Sequence, residues 1–311
     1  MRDCDLENEF IKFISYGKHR AGNTISSYRS DLEQFVKFLS CDEIAEAEKL
    51  EDIFVSGQSV NQAENQRESL LIGADAEKIR VFMDFLEKSN YSQASIRRKF
   101  ATLICFYNFL TSQHWINDNP TIGITPPQVQ KPKPKILTEE QIWQILHLPN
   151  LDNWIGARDR AMLELLCCTG IRISELIKLD INDVDLTNLR LKITSSGRKK
   201  RTLDLTGTAA QTINYYLKLM QREIGFDIEN PQNPLFVNRF GKRLDARSTD
   251  RRIEKYISLA GLDRSVTPYD FRHTFAQTLL RQGASIERLH QLLGFGSNSA
   301  AQLYVESLKT I

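Results

Sequence analysis

Apolar positions recur at helical spacing through the first third of the chain. The segments 9–17 (EFIKFISYG), 28–39 (YRSDLEQFVKFL), 76–88 (AEKIRVFMDFLEK) and 94–112 (ASIRRKFATLICFYNFLTS) place hydrophobic residues at i, i+3 and i+4, one stripe of a 3.6-residue period. They predict a helical region over 5–118, with Thr24 or Ser26 capping the second helix. Residues 55–75 (VSGQSVNQAENQRESLLIGAD) are polar and read as a loop. The pattern stops at 119–137 (NPTIGITPPQVQKPKPKIL), where five prolines forbid regular helix and favour an extended path.

Beyond this break a second pattern starts. Residues 138–147 open with Thr138 and Gln141 at capping-box spacing. Residues 157–168 (ARDRAMLELLCC) read as a buried helix broken by Thr169-Gly170, and 172–179 (RISELIKL) as the start of another. Over 189–205 (LRLKITSSGRKKRTLDL) the pattern predicts two strands joined by a Ser-Gly turn. Helices are predicted again at 207–222, 248–260, 270–282, 285–293 and 299–308. The expected fold class is mainly α, with a helical domain at 1–118, a linker at 119–137, and at 138–311 a helical domain carrying a small antiparallel sheet.

Composition narrows the function classes. The chain has 311 residues, 41% hydrophobic and 26% charged, as in ordinary soluble globular proteins, and its length favours two domains. The net charge of +2 points neither toward nor away from nucleic acid, so the placement of basic residues must carry that question. Five cysteines without a C-x-x-C pair argue against a disulfide framework or structural zinc and fit a reducing compartment. The five histidines lack metal-ligand spacing. No apolar run reaches the roughly 18 residues that span a bilayer, and the N-terminus lacks a signal-peptide core. A cytoplasmic protein is expected, with no metal, no cofactor and no membrane partner.

Two arginines sit in apolar settings. Arg272 lies in YDFRHTF (269–275), ahead of the run AQTLL, and Arg172 lies between CCTGI and ISELI. An unpaired buried charge costs several kcal/mol or more, so each needs an anion from the protein or from a ligand. Glu175, three residues after Arg172, is spaced to pair with it on a helix, and a simple buried salt bridge is one reading. The other is that two permanently charged planar forks serve the non-bridging oxygens of a phosphate. Lys199 and Lys200 follow the turn between the strands; they are either solvated at the hairpin tip or aimed, one of them, at the same phosphate. Tyr304, in the amphipathic stretch 299–308, is either packing or a phenol that nearby cations could activate.

Assembled, these residues resemble the tyrosine recombinase (phage integrase) family, in an Xer-like layout. The segments that carry the resemblance are TGIRISELIKLDINDVDL (169–186), TPYDFRHTFAQTLLRQGASIERLHQLLGFGS (267–297) and AAQLY ending at Tyr304. It covers nearly the whole chain and implies a helical, SAM-like core-binding domain for DNA followed by a catalytic domain. It implies metal-free transesterification: Tyr304 attacks a phosphodiester and forms a 3′-phosphotyrosyl link, while Arg172 and Arg272 clamp the phosphate. Glu175 would hold Arg172, and His273 would support Arg272. The implied partner is a double-stranded recombination site, bound as a dimer per site and a tetramer on two sites.

Three positions depart from the family pattern. Tyr269 stands where histidine is usual; its phenol can donate a hydrogen bond but is a poor base at neutral pH. Hairpin telomere resolvases of the same superfamily also carry tyrosine there. Phe295 replaces the last residue of the usual LLGH and can only buttress Tyr304. The catalytic lysine of Xer-like proteins aligns without gaps with Ser196, whereas the G-R-x-K stretch of Cre-like proteins matches Gly197-Arg198-Lys199-Lys200. Lys200 is the first choice for general acid and Lys199 the second. Seven residues follow Tyr304, where many members extend a further helix onto a neighbouring protomer, so that contact is expected to be reduced or supplied differently.

Contacts to DNA, to its backbone or grooves from Arg97, Arg98 and Lys99 on one helix and also from Arg20, Arg29 and the linker residues Lys131, Lys133 and Lys135, are expected, most of them to phosphates. For each, a solvated face or tether is the alternative. Two other functions remain open on the sequence: a catalytically silent relative that binds DNA as a regulator or accessory factor, and a relaxing topoisomerase.

Overall fold

A computed structural model describes residues 6–17, 22–40, 64–128, 134–194, 200–263 and 265–309. The chain divides into two compact units, Met1–Lys131 and Pro132–Ile311.

The described part of the first unit is helical: α1 (Leu6–Lys12, continued by a π-turn to Gly17), α2 (Gly22–Leu39), α3 (Glu64–Ile72), α4 (Ala76–Lys88) and α5 (Gln93–Ser112). Side-chain caps start the last two, Asp75 for α4 and Ser92 for α5. The predicted stripes form the core: Leu32, Phe35 and Val36 of α2 meet Ile79, Phe82 and Leu86 of α4 and Phe100, Leu103 and Phe106 of α5. Each such side chain contributes about 1.5–3 kcal/mol by leaving water.

Two expectations are corrected here. Helix α2 already begins at Gly22, so Thr24 and Ser26 lie within it instead of capping it. Part of the expected 55–75 loop is helix α3. Its own apolar pattern is weak, and its anchors are distant in sequence. Arg67 pairs with Glu7 at 3.0 Å, Glu68 accepts the Leu6 amide at 3.0 Å, and the Leu71 carbonyl accepts the buried Tyr107 hydroxyl at 2.9 Å.

The second unit is built around α7 (Trp154–Thr169), buried along nearly its whole length. It packs against α9 (Gly207–Ile224) through Ile213, Tyr216 and Met220, and against α11 (Pro268–Arg281). Before it, α6 (Glu139–His147) carries the predicted capping box of Thr138 and Gln141. After it come the single turn α8 (Ile173–Leu176), shorter than the expected 172–179, and a three-stranded antiparallel sheet. The strands are β1 (Val184–Asp185), β2 (Arg190–Thr194) and β3 (Lys200–Asp204). Leu191 faces Leu203 and Ile193 faces Arg201 across β2 and β3. Leu191, Ile193 and Leu203 are buried, so the period of two turns Arg201 toward the same inner face. Helix α10 (Ala246–Leu259) follows α9, and α12 (Ile286–Leu293) and α13 (Asn298–Lys309) close the unit against α11 through Ala276, Leu289, Leu293, Val305 and Leu308.

The end of the expected linker is docked on this unit. Leu137 is a core residue, its amide donates to Thr274 Oγ1 at 2.9 Å, and the Lys135 amide donates to Asp270 Oδ1 at 3.0 Å. No helix among the described residues is long and apolar enough to cross a membrane.

Candidate active site

Three helix ends bring the site together. Helix α7 stops at Gly170, which takes the left-handed conformation (φ +59°), and a Cβ there would lie 2.6 Å from the Phe275 ring. Arg172 emerges directly after this turn, at the N-cap of α8. Arg272 comes from the second turn of α11, which starts on Pro268 with Asp270 accepting the Thr267 amide at 2.7 Å. Helix α12 ends at Gly294, again left-handed (φ +62°), leaving its last carbonyls free to accept from side chains.

Those carbonyls gather three arginines. Leu293 O accepts from Arg272 Nη2 at 2.6 Å and from Arg172 Nη1 at 3.2 Å; Gly294 O accepts from Arg172 Nη2 at 3.4 Å; Leu292 O accepts from Arg201 Nε at 2.8 Å. Arg272 Nη1 also donates to Gly170 O at 2.8 Å. A helix C-terminus carries partial negative charge, which favours cations there. Two guanidiniums 100 residues apart in sequence therefore share one carbonyl oxygen.

Arg272 is only 2% exposed. Burial, with the Arg172 charge beside it, lowers its pKa to about 10, while Tyr269, Tyr304 and Glu175 act in the opposite sense. It stays protonated at neutral pH. Its Nε has no hydrogen-bond partner; neither do His273 Nδ1 and Tyr304 Oη, and these are the three unsatisfied buried side-chain polar atoms among the described residues. Leaving such a group unpaired costs about 1–3 kcal/mol. All three belong to residues singled out from the sequence.

Tyr304 lies on the buried stripe of α13 with Ala301, Val305 and Leu308. Its ring stacks on His273 (centroids 5.2 Å apart, 16° between planes) and touches Phe295 at 5.0 Å. Phe295 also lies under the Arg272 guanidinium, 5.4 Å from its Cζ, so it buttresses both the phenol and the arginine. Tyr269 meets His273 edge-on at 4.8 Å and is 47% exposed. Burial pushes the Tyr304 phenol well above its ordinary value, with Arg272 opposing. Burial lowers the His273 imidazole, with Asp270 opposing.

Beside the arginines opens a cleft of about 640 Å³ whose lining includes Arg172, Lys178, Lys200, Arg201, His290 and Phe295. Lys200 is exposed at the start of β3; Lys199 lies outside the described residues. Sequence reasoning missed Arg201. It holds Glu175 bidentately, Nη1 to Oε1 at 2.7 Å and Nη2 to Oε2 at 2.8 Å. Glu175 approaches the Arg172 side chain at 3.5 Å and accepts its backbone amide at 3.1 Å. The expected Arg172–Glu175 pair is thus the longer of the two. The alternation of β3, with Leu203 and Leu205 facing inward, was the signal that places Arg201 inside.

The expected DNA contacts divide. Lys99 is buried and donates to Asp31 Oδ1 at 3.0 Å; Arg98 and Thr102 bind the same carboxylate. The expected basic face of three therefore reduces to an exposed Arg97 and a half-exposed Arg98 already paired, because Asp31, itself 2% exposed, requires countercharge. Arg29 is exposed, 3.5 Å from Asn8 Oδ1. Lys135 pairs with Asp263 at 3.2 Å. Arg20, Lys131 and Lys133 lie outside the described residues.

Residues 135–310 match the model of the phage integrase family. A tyrosine recombinase XerC from Herpetosiphon aurantiacus is 32% identical over 95% of this chain and 88% of its own length. A tyrosine recombinase XerD from Staphylococcus saprophyticus is 29% identical over 97% of this chain and 94% of its own. In fold, the chain is similar to XerH site-specific recombinase in a post-cleavage complex with a palindromic difH substrate (TM-score 0.66, 19% identity, 96% and 80% of the two chains). It is similar to a lambda integrase (75–356) dimer bound to a COC′ core site (TM-score 0.65, 15% identity, 96% and 97%). With that family match, about 30% identity to Xer recombinases over nearly its full length and the same fold as the solved recombinases, the chain belongs to the phage integrase family, as a tyrosine recombinase.

Proposed function

We propose that this recombinase cuts and rejoins double-stranded DNA at specific sites through a covalent bond to Tyr304. The observation that carries the reading is the set of unpaired polar atoms on Arg272, His273 and Tyr304, gathered around two guanidiniums anchored on one carbonyl. A bound phosphodiester supplies what they lack. Its non-bridging oxygens accept from Arg172 and from Arg272 Nε, and Tyr269, exposed at the rim, can donate a further hydrogen bond.

In cleavage, Tyr304 Oη gives up its proton to solvent as it bonds to phosphorus, the P–O5′ bond breaks, and Lys200 protonates the leaving 5′-oxygen. The product is a 3′-phosphotyrosyl link and a free 5′-hydroxyl. Attack by a 5′-hydroxyl of the partner strand reverses the step, so phosphodiester bond energy is conserved. The arginines stand ready for charge that builds up in the pentavalent transition state, where loss of one preorganised donor typically costs ~10²–10³ in rate. Before DNA binds, burial keeps the phenol protonated, a poor nucleophile. The helical first unit serves as the core-binding domain, with Arg97 and Arg29 at phosphates, and the second unit as the catalytic domain. Exchange between two sites needs four cut strands, hence four protomers, two on each site. The reading places the protein in the cytoplasm with its DNA.

A nicked suicide substrate tests it. The wild type is expected to give a covalent protein–DNA adduct on a denaturing gel, and Tyr304→Phe none. No adduct from the wild type on its cognate site would leave only a silent DNA-binding relative. Adduct and supercoil relaxation without exchange between two sites would indicate a topoisomerase.

A further inference from the structure

Arg201 is the most fully engaged arginine next to the site that the proposed chemistry leaves without a task. Its side chain is 10% exposed. Three of its hydrogen bonds run at 2.7 to 2.8 Å, two to Glu175 and one to Leu292 O. It therefore ties together three elements: the start of β3, the turn α8 that begins at Arg172, and the C-terminal carbonyls of α12 that hold both clamping arginines. Its chain neighbour is Lys200, which lines the same cleft. A hairpin tip is ordinarily the loosest part of a sheet; here the first residues of β3 are fixed by a charge-assisted fork.

We propose that Arg201 is a positioning residue that sets Lys200 against the phosphate held by Arg172 and Arg272. This rests on the assignment of Lys200 as general acid. When the Tyr304 Oη–P bond forms and the P–O5′ bond breaks, the 5′-oxygen must receive a proton, and a displaced ammonium cannot deliver it. General acid catalysis of this kind is worth ~10²–10⁴ in rate. A bridging sulfur in place of the 5′-oxygen removes the requirement, because a thiolate, with a conjugate-acid pKa of about 8.5, leaves without a proton. A defect that comes from misplaced Lys200 must vanish on the sulfur substrate. A defect of the arginine clamp or of folding must not.

Single-turnover cleavage is measured for the full chain on oxygen-bridged and sulfur-bridged suicide substrates, with DNA affinity and melting temperature alongside. Arg201→Lys keeps the charge but loses the fork. It is expected to cleave the oxygen substrate ~10²-fold more slowly, with DNA affinity unchanged and the sulfur substrate cleaved at nearly the wild-type rate. Should the single variant fold poorly, Arg201→Gln, which leaves Glu175 beside the Arg172 side chain, is expected to show a loss that sulfur relieves in the same way. Equal loss on both substrates, or none on either, overturns the proposal. Lys200→Ala is the reference arm. If sulfur does not rescue it, Lys200 is not the acid and the inference falls with that assignment. A wild type that cleaves neither substrate refutes the recombinase reading instead.

Discussion

The Gly294 turn offers the sharpest physical test of how the arginines are held. Gly294 has φ +62°, and a Cβ built on it would lie 2.9 Å from Arg201 Nη1 and 3.2 Å from its Cζ. Gly225, at the end of α9, has φ +63° with nothing within 4 Å of its Cβ position. Gly225→Ala therefore reports the backbone cost alone, about 1 kcal/mol for a non-glycine residue in the left-handed region. Gly294→Ala adds the displacement of a guanidinium hydrogen-bonded to Leu292 O and, twice, to a buried carboxylate. Hydrogen bonds to charged groups are worth about 1.5–3 kcal/mol, and loosening this set adds about 2 kcal/mol. The total of about 3 kcal/mol corresponds to a fall in melting temperature of roughly 6–12 °C for a domain of this size. Urea denaturation of Gly225→Ala, Gly294→Ala and Gly294→Ala/Arg201→Met measures both terms. The steric term should disappear when Arg201 is absent, which makes the pair non-additive. Gly294→Ala costing no more than Gly225→Ala would refute the claim that Arg201 is pinned against the turn.

Other consequences follow from buried charge. Removing Asp31 as Asp31→Ala strands the Lys99 ammonium and is expected to destabilise the first unit by about 3–5 kcal/mol; Asp31→Leu/Lys99→Met should recover most of that, so that an early circular-dichroism transition appears in the first variant and is gone in the second. His273 has a folded pKa below its usual value because it is buried. Between that value and the unfolded value of 6.5, the unfolded chain binds more protons, so stability falls as pH drops through this window. His273→Phe should flatten that slope in melting curves from pH 7 to 5, and an unchanged slope would place its origin elsewhere.

Much of this molecule is legible along the chain. The stripes of α2, α4, α5 and α13, the capping box at Thr138 and the Thr169-Gly170 stop all follow from periods and caps that span a few residues. The same local logic put Arg172, Arg272 and Tyr304 in apolar surroundings, where a charge or phenol needs a reason. Partner choice was not legible, because it depends on contacts far apart in sequence. Glu175 takes the fork of Arg201 from a neighbouring strand in preference to the nearby side chain of Arg172. Lys99 turns inward because Asp31, on another helix, is buried opposite it. Helix α3 forms in a polar segment because Glu7, Leu6 and Tyr107 satisfy it from outside. Local periodicity sets which face of an element is apolar. Which buried charge meets which is settled by packing, where desolvation makes every unpaired group costly and the best available geometry takes the bond.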